Sequence, residues 1–161
     1  MTVVVSDTSP LRALDHLKLT WLLQSLYGEV LIPPAVAQEL QDPASALPPL
    51  DWRSVPGVTV RAPVDKKRVE DLTQTLDQGE AEAICLGLEV RASALLVDER
   101  AARAVAASLG LRPVGVLAVL VRAKELGHIS EVRPLLDLLR TDIGFYISRP
   151  LYAEIVRLAG E

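Results

Sequence analysis

The chain has one cysteine, so no disulfide forms within it and a disulfide-stapled secreted scaffold is excluded. One cysteine and two histidines also cannot fill a Cys/His zinc site of the usual spacing. No apolar run approaches the roughly 18 residues of a membrane-spanning helix, so no membrane partner is expected. The opening Met1-Thr2-Val3-Val4-Val5 has no basic stretch and meets Asp7 almost at once, so it does not read as a secretory leader. Gly-x-Gly-x-x-Gly and the P-loop are both missing, which removes the usual dinucleotide and nucleoside-triphosphate folds. What remains is 161 residues, 50% apolar and 24% charged. That is enough to bury a full core, and it reads as one globular domain over residues 1–161, soluble and cytoplasmic.

The net charge of −4 argues against a protein that coats nucleic acid generally. Its distribution is more informative. Residues 1–90 carry seven basic and thirteen acidic side chains, whereas residues 91–127 carry six basic and three acidic ones. A basic stretch within an acidic chain suits a phosphate backbone held beside an acidic metal site, or an ordinary solvated face. Lys66-Lys67-Arg68 reads as such a face, and Cys85, among apolar neighbours, as a core thiol. Trp21 and Trp52 are too isolated to form a base-stacking platform. His16 and His128 read as ordinary helix or turn residues.

Val3-Val4-Val5, Val30-Leu31-Ile32 and Leu95-Leu96-Val97 are short apolar runs that predict buried strands, with Val58-Thr59-Val60 as an edge strand and Pro113-Val114 as a short one. Between them lie helical patterns. One opens at Ser9-Pro10, with Ser9 as N-cap, and a second covers about Leu19 to Leu26. Others cover Ala35–Leu40, Asp65 to a break at Gly79, Glu80–Val90, Ala101–Leu109 and Val116–Leu126, and two more follow near 130–140 and 150–158. Strands alternating with helices predict an α/β three-layer sandwich with a mainly parallel central sheet. Ligands of such sheets bind outside the carboxyl ends of the strands.

Acids stand at those ends. Asp7 and Asp98 each follow a strand directly, Glu39 lies on the helix after the second strand, and Glu80 and Glu82 open the helix before the Asp98 strand. Carboxylates converging without a basic partner call for a divalent cation, and oxygen-only ligands point to Mg²⁺ or Mn²⁺. Each acid also has a purely structural role open to it. Asp7 and Asp98 are placed to cap helices, Asp98 the one from Ala101, and Glu80 sits where a helix dipole favours an acid. Glu80 and Glu82 are two positions apart, so a regular helix cannot turn both squarely to one site.

The segments Ser6-Asp7-Thr8-Ser9-Pro10-Leu11, Val36-Ala37-Gln38-Glu39-Leu40, Leu76-Asp77-Gln78-Gly79-Glu80-Ala81-Glu82-Ala83-Ile84, Leu95-Leu96-Val97-Asp98-Glu99-Arg100-Ala101-Ala102-Arg103 and Val114-Gly115-Val116-Leu117-Ala118-Val119-Leu120 occur in this order. The set resembles the PIN-domain superfamily, and more closely its VapC-like prokaryotic branch, from residue 3 to about 150. The resemblance implies a PIN-like fold and a Mg²⁺- or Mn²⁺-dependent ribonuclease acting on single-stranded RNA. By the same resemblance Asp7, Glu39, Glu80 and Asp98 match the metal-binding acids, Glu82 belongs to the branch's pattern, and all five are candidate catalytic residues. Thr8 and Ser9 match hydroxyls that follow the first acid and, with Arg103, are candidate substrate contacts, although Arg103 has a structural pairing with an acid equally open to it. Many PIN domains carry a further Asp or Asn after the last strand-end acid; here Glu99 is adjacent and Arg103 takes the later helical turn, which puts a two-metal site in doubt. A homodimer and a small antitoxin protein as partner, with the chain as toxin, are implied in the same way. The apolar helix 116–126 also suggests more apolar surface than a small monomer covers.

Two other classes compete. A PIN fold that has lost catalysis and serves as a binding scaffold would not need the full acid set. Phosphatases with Asp-x-Asp after the first strand do not fit Asp7-Thr8-Ser9, and a receiver-type phosphoacceptor lacks its acid pair and strand-end lysine here.

Overall fold

The computed structural model describes residues 3–161. Met1 and Thr2, the first two residues of the opening read above as no leader, lie outside them.

Five strands form the sheet: β1 (Val3–Ser6), β2 (Glu29–Ile32), β3 (Val58–Val60), β4 (Ala94–Leu96) and β5 (Pro113–Val114). Their spatial order is β3-β2-β1-β4-β5, and every pairing is parallel. β3 is at an edge, as its proline-rich surroundings predict. Register is set by pairs such as Val4 with Val30 and Val5 with Leu95.

The helices are α1 (Thr8–His16), α2 (Trp21–Tyr27), α3 (Pro34–Gln41), α4 (Lys66–Leu72), α5 (Gln78–Glu89), α6 (Arg100–Ser108), α7 (Val116–Glu125), α8 (Arg133–Asp142) and α9 (Arg149–Leu158). Side chains alternate across the sheet, and that alternation builds three layers. Val4, Val30, Ile32 and Leu96 face a core completed by α1, α2, α7, α8 and α9. Val5, Leu31, Leu95 and Val97 face a second core, where Ile84 and Leu86 of α5 and Ala102 and Ala106 of α6 cover them. None of these helices is long and apolar enough to cross a membrane among the described residues.

Four sequence expectations are corrected. Ser9 is not the N-cap of α1: Asp7 stays extended at ψ 176°, the helix starts at Thr8, and Pro10 occupies a first-turn position whose N–H has no helical partner to lose. Gly79 does not break a helix but lies in the first turn of α5, which begins at Gln78 behind Asp77 as N-cap. The preceding helix ends earlier, at Leu72, and buried Leu76 belongs to the connection. Finally, α7 is not left bare. Its Val116, Val119, Leu120 and Ala123 are wholly buried within this one chain, against α1 and α9. That helix therefore gives no reason for a second copy.

Candidate active site

The strand order changes direction at β1. The chain moves outward from β1 to β2 and β3, then returns to β4 and β5 on the other side. The carboxyl ends of β1 and β4 therefore flank the crevice where such sheets bind ligands. Asp7 follows β1 directly, and its N–H donates to the Leu96 carbonyl (2.9 Å), extending the β1–β4 ladder and fixing its backbone at the rim. Although Asp7 is the N-cap of α1, its side chain makes no capping bond to the first turn. It remains available to the cleft.

That cleft measures about 390 Å³ and is lined by Asp7, Thr8, Ser9, Arg12, Glu39, Asp77, Glu80, Glu99, Ile143 and Phe145 among others. Asp7 and Glu80 are the only buried charged residues among those described. Glu39 reaches the same place from α3. Its Oε2 accepts a hydrogen bond from Thr8 Oγ1 (2.7 Å), and Arg12 donates to its main-chain carbonyl. A Cβ on Gly79 would stand 2.5 Å from Glu39 Oε1, so the glycine that sequence reading took for a helix break is the clearance for this carboxylate. Glu80 is held in a reciprocal cap: its N–H donates to Asp77 Oδ1 (2.8 Å), and its Oε1 accepts from Asp77 N–H (3.2 Å).

The acids crowd one another. Burial is the main cause that raises Asp7 from its ordinary range to about 7; the Thr8 amide opposes it, and the charges of Glu80, Asp77 and Glu39 add to it. Burial also pushes up Glu39, against the Thr8 hydrogen bond, and Glu80, against its bond to Asp77. No lysine or arginine among the described residues pairs with these carboxylates within 4.0 Å. Arg12, the basic residue of the lining, donates instead to the carbonyls of Glu39 and Pro48.

The other candidates are placed differently. Glu82 lines a separate cavity beside Pro34 and Lys66. Its Oε1 accepts from the Ala35 N–H (3.1 Å) and its Oε2 from Gln78 Nε2 (2.8 Å), so it spans from α5 to the start of α3. Asp98 stands at the end of β4 but is not on the cleft lining. Its Oδ1 accepts from the Val116 N–H (2.8 Å), which turns it toward β5 and α7. It therefore caps α7 rather than the helix after it, whose N-cap is Glu99. Asp98 Oδ2 is buried and has no hydrogen-bond partner among the described residues. Burial raises the Asp98 pKa to about 6, with the Val116 amide and Arg103 opposing. Arg103 donates to the Val97 carbonyl (3.0 Å), and a Cβ on Gly115 would crowd both it and Asp98. Ser9 is exposed on the cleft rim.

Sequence reading did not single out Asp77, Arg12, Ile143 or Phe145. Asp77 carried a signal, since Asp-x-x-Glu ahead of an apolar run is a capping pattern. The other three carried none, because only tertiary packing brings them to the cleft.

Hard carboxylate oxygens without nitrogen or sulfur, mutually repelling and in no ion pair with a basic side chain, are the chemistry of a divalent-cation site. The orphaned Asp98 Oδ2 fits the same need. As the side chains stand, no three such groups close around one point among the described residues.

The family DUF3368, described as a PIN domain, matches residues 3–161. Comparison with curated proteins finds no match. PIN domains are in general nucleases that use divalent metal ions, which is the class of chemistry the acid cleft suits. With a parallel sheet whose switch point carries that cleft and a family match over all the described residues, the chain belongs to the PIN-domain family.

Proposed function

We propose that the protein is a Mg²⁺- or Mn²⁺-dependent endoribonuclease that hydrolyses single-stranded RNA. The observation that carries this reading is the sharing of one cleft by Asp7, Glu39 and Glu80 with no basic side chain paired to any of them. Such a cluster is costly when empty of cations, and a scaffold would have no use for it. Asp7, Glu39 and Glu80 would hold the ion, with Asp98 Oδ2 supplying an oxygen from the neighbouring strand end. When bound, the ion neutralises phosphate charge and acidifies a water molecule.

The chain's own residues position the donors. β1 and β4 fix Asp7 through the Leu96 carbonyl, Thr8 orients the Glu39 carboxylate, and the Asp77 cap sets the direction of Glu80. No histidine lines the cleft, and His16 is instead paired with Asp142 (2.9 Å). With water rather than the ribose 2′-hydroxyl as the nucleophile, the products carry 5′-phosphate and 3′-hydroxyl ends. The wider role, a cytoplasmic toxin acting as a homodimer and held by a small antitoxin, rests on the family resemblance.

The test is cleavage of a mixed single-stranded RNA pool with Mn²⁺, with Mg²⁺ and with EDTA, beside Asp7→Asn. Expected is metal-dependent cleavage that falls about 100-fold or more in the variant. Folded, partner-free protein that neither cuts RNA nor binds Mn²⁺ would instead be a scaffold.

A further inference from the structure

The acid cleft has one wall of a different character. Ile143 and Phe145, from the segment after α8, line it opposite in kind to the carboxylates. Phe145 is the only phenylalanine in the chain, and three of the five other aromatic rings are engaged elsewhere. Trp52 lies under the Arg53 guanidinium, Trp21 meets His128 edge-on, and Tyr152 lies under Arg140 while donating to Asp137.

Phe145 is half-buried: it packs against the main core and it lines the cleft. Its backbone is pinned on both sides. The Phe145 N–H donates to the Leu139 carbonyl (3.0 Å), Gly144 before it turns through φ +65°, and Ile147 after it is buried. The residue thus stands on a fixed backbone, so little order has to be gained when something stacks on its ring.

A cleft rich in carboxylates repels a phosphodiester, and its arginine is committed to two carbonyls. Beyond what a bound ion supplies at the phosphate, a further grip on a nucleic-acid strand can come from its uncharged part, and the face of a nucleobase is that part. We infer that Phe145, with Ile143 beside it, is a nucleobase-stacking subsite that seats a base of the single-stranded substrate next to the phosphate presented to Asp7, Glu39 and Glu80. The inference rests on the nuclease reading above and adds how the strand is held. Tyr146, 83% exposed and off the cleft lining, is not part of it.

The test is binding rather than cleavage, so that the ring is read separately from the metal. The full chain carrying Asp7→Asn is titrated in Mn²⁺ into labelled oligoadenosine and into an abasic ribose-phosphate oligomer of equal length. Phe145→Leu, which keeps apolar bulk, and Phe145→Trp, which keeps a stacking face, are compared with Phe145 in that background, each checked for a cooperative melt. Expected is a preference for oligoadenosine over the abasic strand that shrinks about tenfold in Phe145→Leu and is retained in Phe145→Trp. An equal preference in Phe145→Leu overturns the subsite and leaves Phe145 as a cover for the core. If neither oligomer binds the Phe145 protein, whether with Asp7→Asn or with Asp7 intact and Ca²⁺ in place of Mn²⁺, the ribonuclease reading falls and takes this inference with it. Binding without coupling to the ring removes this inference alone.

Discussion

Asp7 is held where its charge is least welcome, at the buried end of β1 and among three other acids. Its carboxyl is raised from 3.8 to about 7. Between those values the folded chain keeps a proton that the unfolded chain has released. The contribution of Asp7 to stability is therefore complete below about pH 4 and lost as the pH rises through about 7. Asp7→Asn removes that loss. In EDTA at pH 8 the variant is expected to be more stable than the parent by up to about 4 kcal/mol, and at pH 4 the gap closes. Urea unfolding at the two pH values measures it; a parent at least as stable as the variant at pH 8 would contradict the burial argument. Asp7 was legible because a β-branched run ending in an acid marks a strand end on the ligand side of a parallel sheet. The orientation of Asp98 was not, because its partner amide lies across the β5–α7 turn and no local pattern announces it.

The contact of α3 with α5 sets the spacing of Glu39 and Glu80, and two small features hold it. Gly79 lies in an ordinary helical position, where alanine would normally add about 0.5–1 kcal/mol. Here the added Cβ meets the end of a movable side chain, Glu39 Oε1. Gly79→Ala is therefore expected to melt within a few degrees of the parent yet cleave RNA at least about tenfold more slowly, since the carboxylate is displaced. Glu82 is the second feature. Glutamine preserves its acceptor for the Ala35 amide, whereas alanine removes it. Glu82→Gln should keep Mn²⁺ affinity and most activity, and Glu82→Ala should lose about 1 kcal/mol of stability together with activity. Loss of Mn²⁺ binding in Glu82→Gln would make it a ligand after all. Two acids two positions apart are indistinguishable until the helix start is known. Asp77 as N-cap sets the phase, putting Glu80 in the reciprocal cap and Glu82 toward α3.

For the whole molecule, the switch-point crevice and the far end of the chain pull stability in opposite directions with pH. The Glu161 carboxylate accepts from Val132 N–H (2.7 Å), Arg133 N–H (3.1 Å) and Lys124 Nζ (2.9 Å), tying the residues after α9 to α7 and to the start of α8. These bonds outweigh desolvation and hold it down at about 2. Its stabilisation is present above the ordinary carboxyl range near 4.5 and is lost as the pH falls toward 2. Asp7 and Asp98, raised to about 7 and about 6, act the other way. Metal-free protein should thus be most stable near about pH 4, losing stability on the alkaline side through the crevice and on the acid side through Glu161 and other paired carboxylates. Two changes separate the limbs. Glu161→Gln should lower stability by about 1 kcal/mol at pH 7, and this deficit should fade below pH 4 while the alkaline limb is untouched. Saturating Mn²⁺ should flatten the alkaline limb alone, because a cation in the crevice favours the ionised acids there and has no purchase on Glu161. An alkaline limb that persists in Mn²⁺ would mean that the crevice acids do not share an ion, and the metal site would then have to be sought elsewhere.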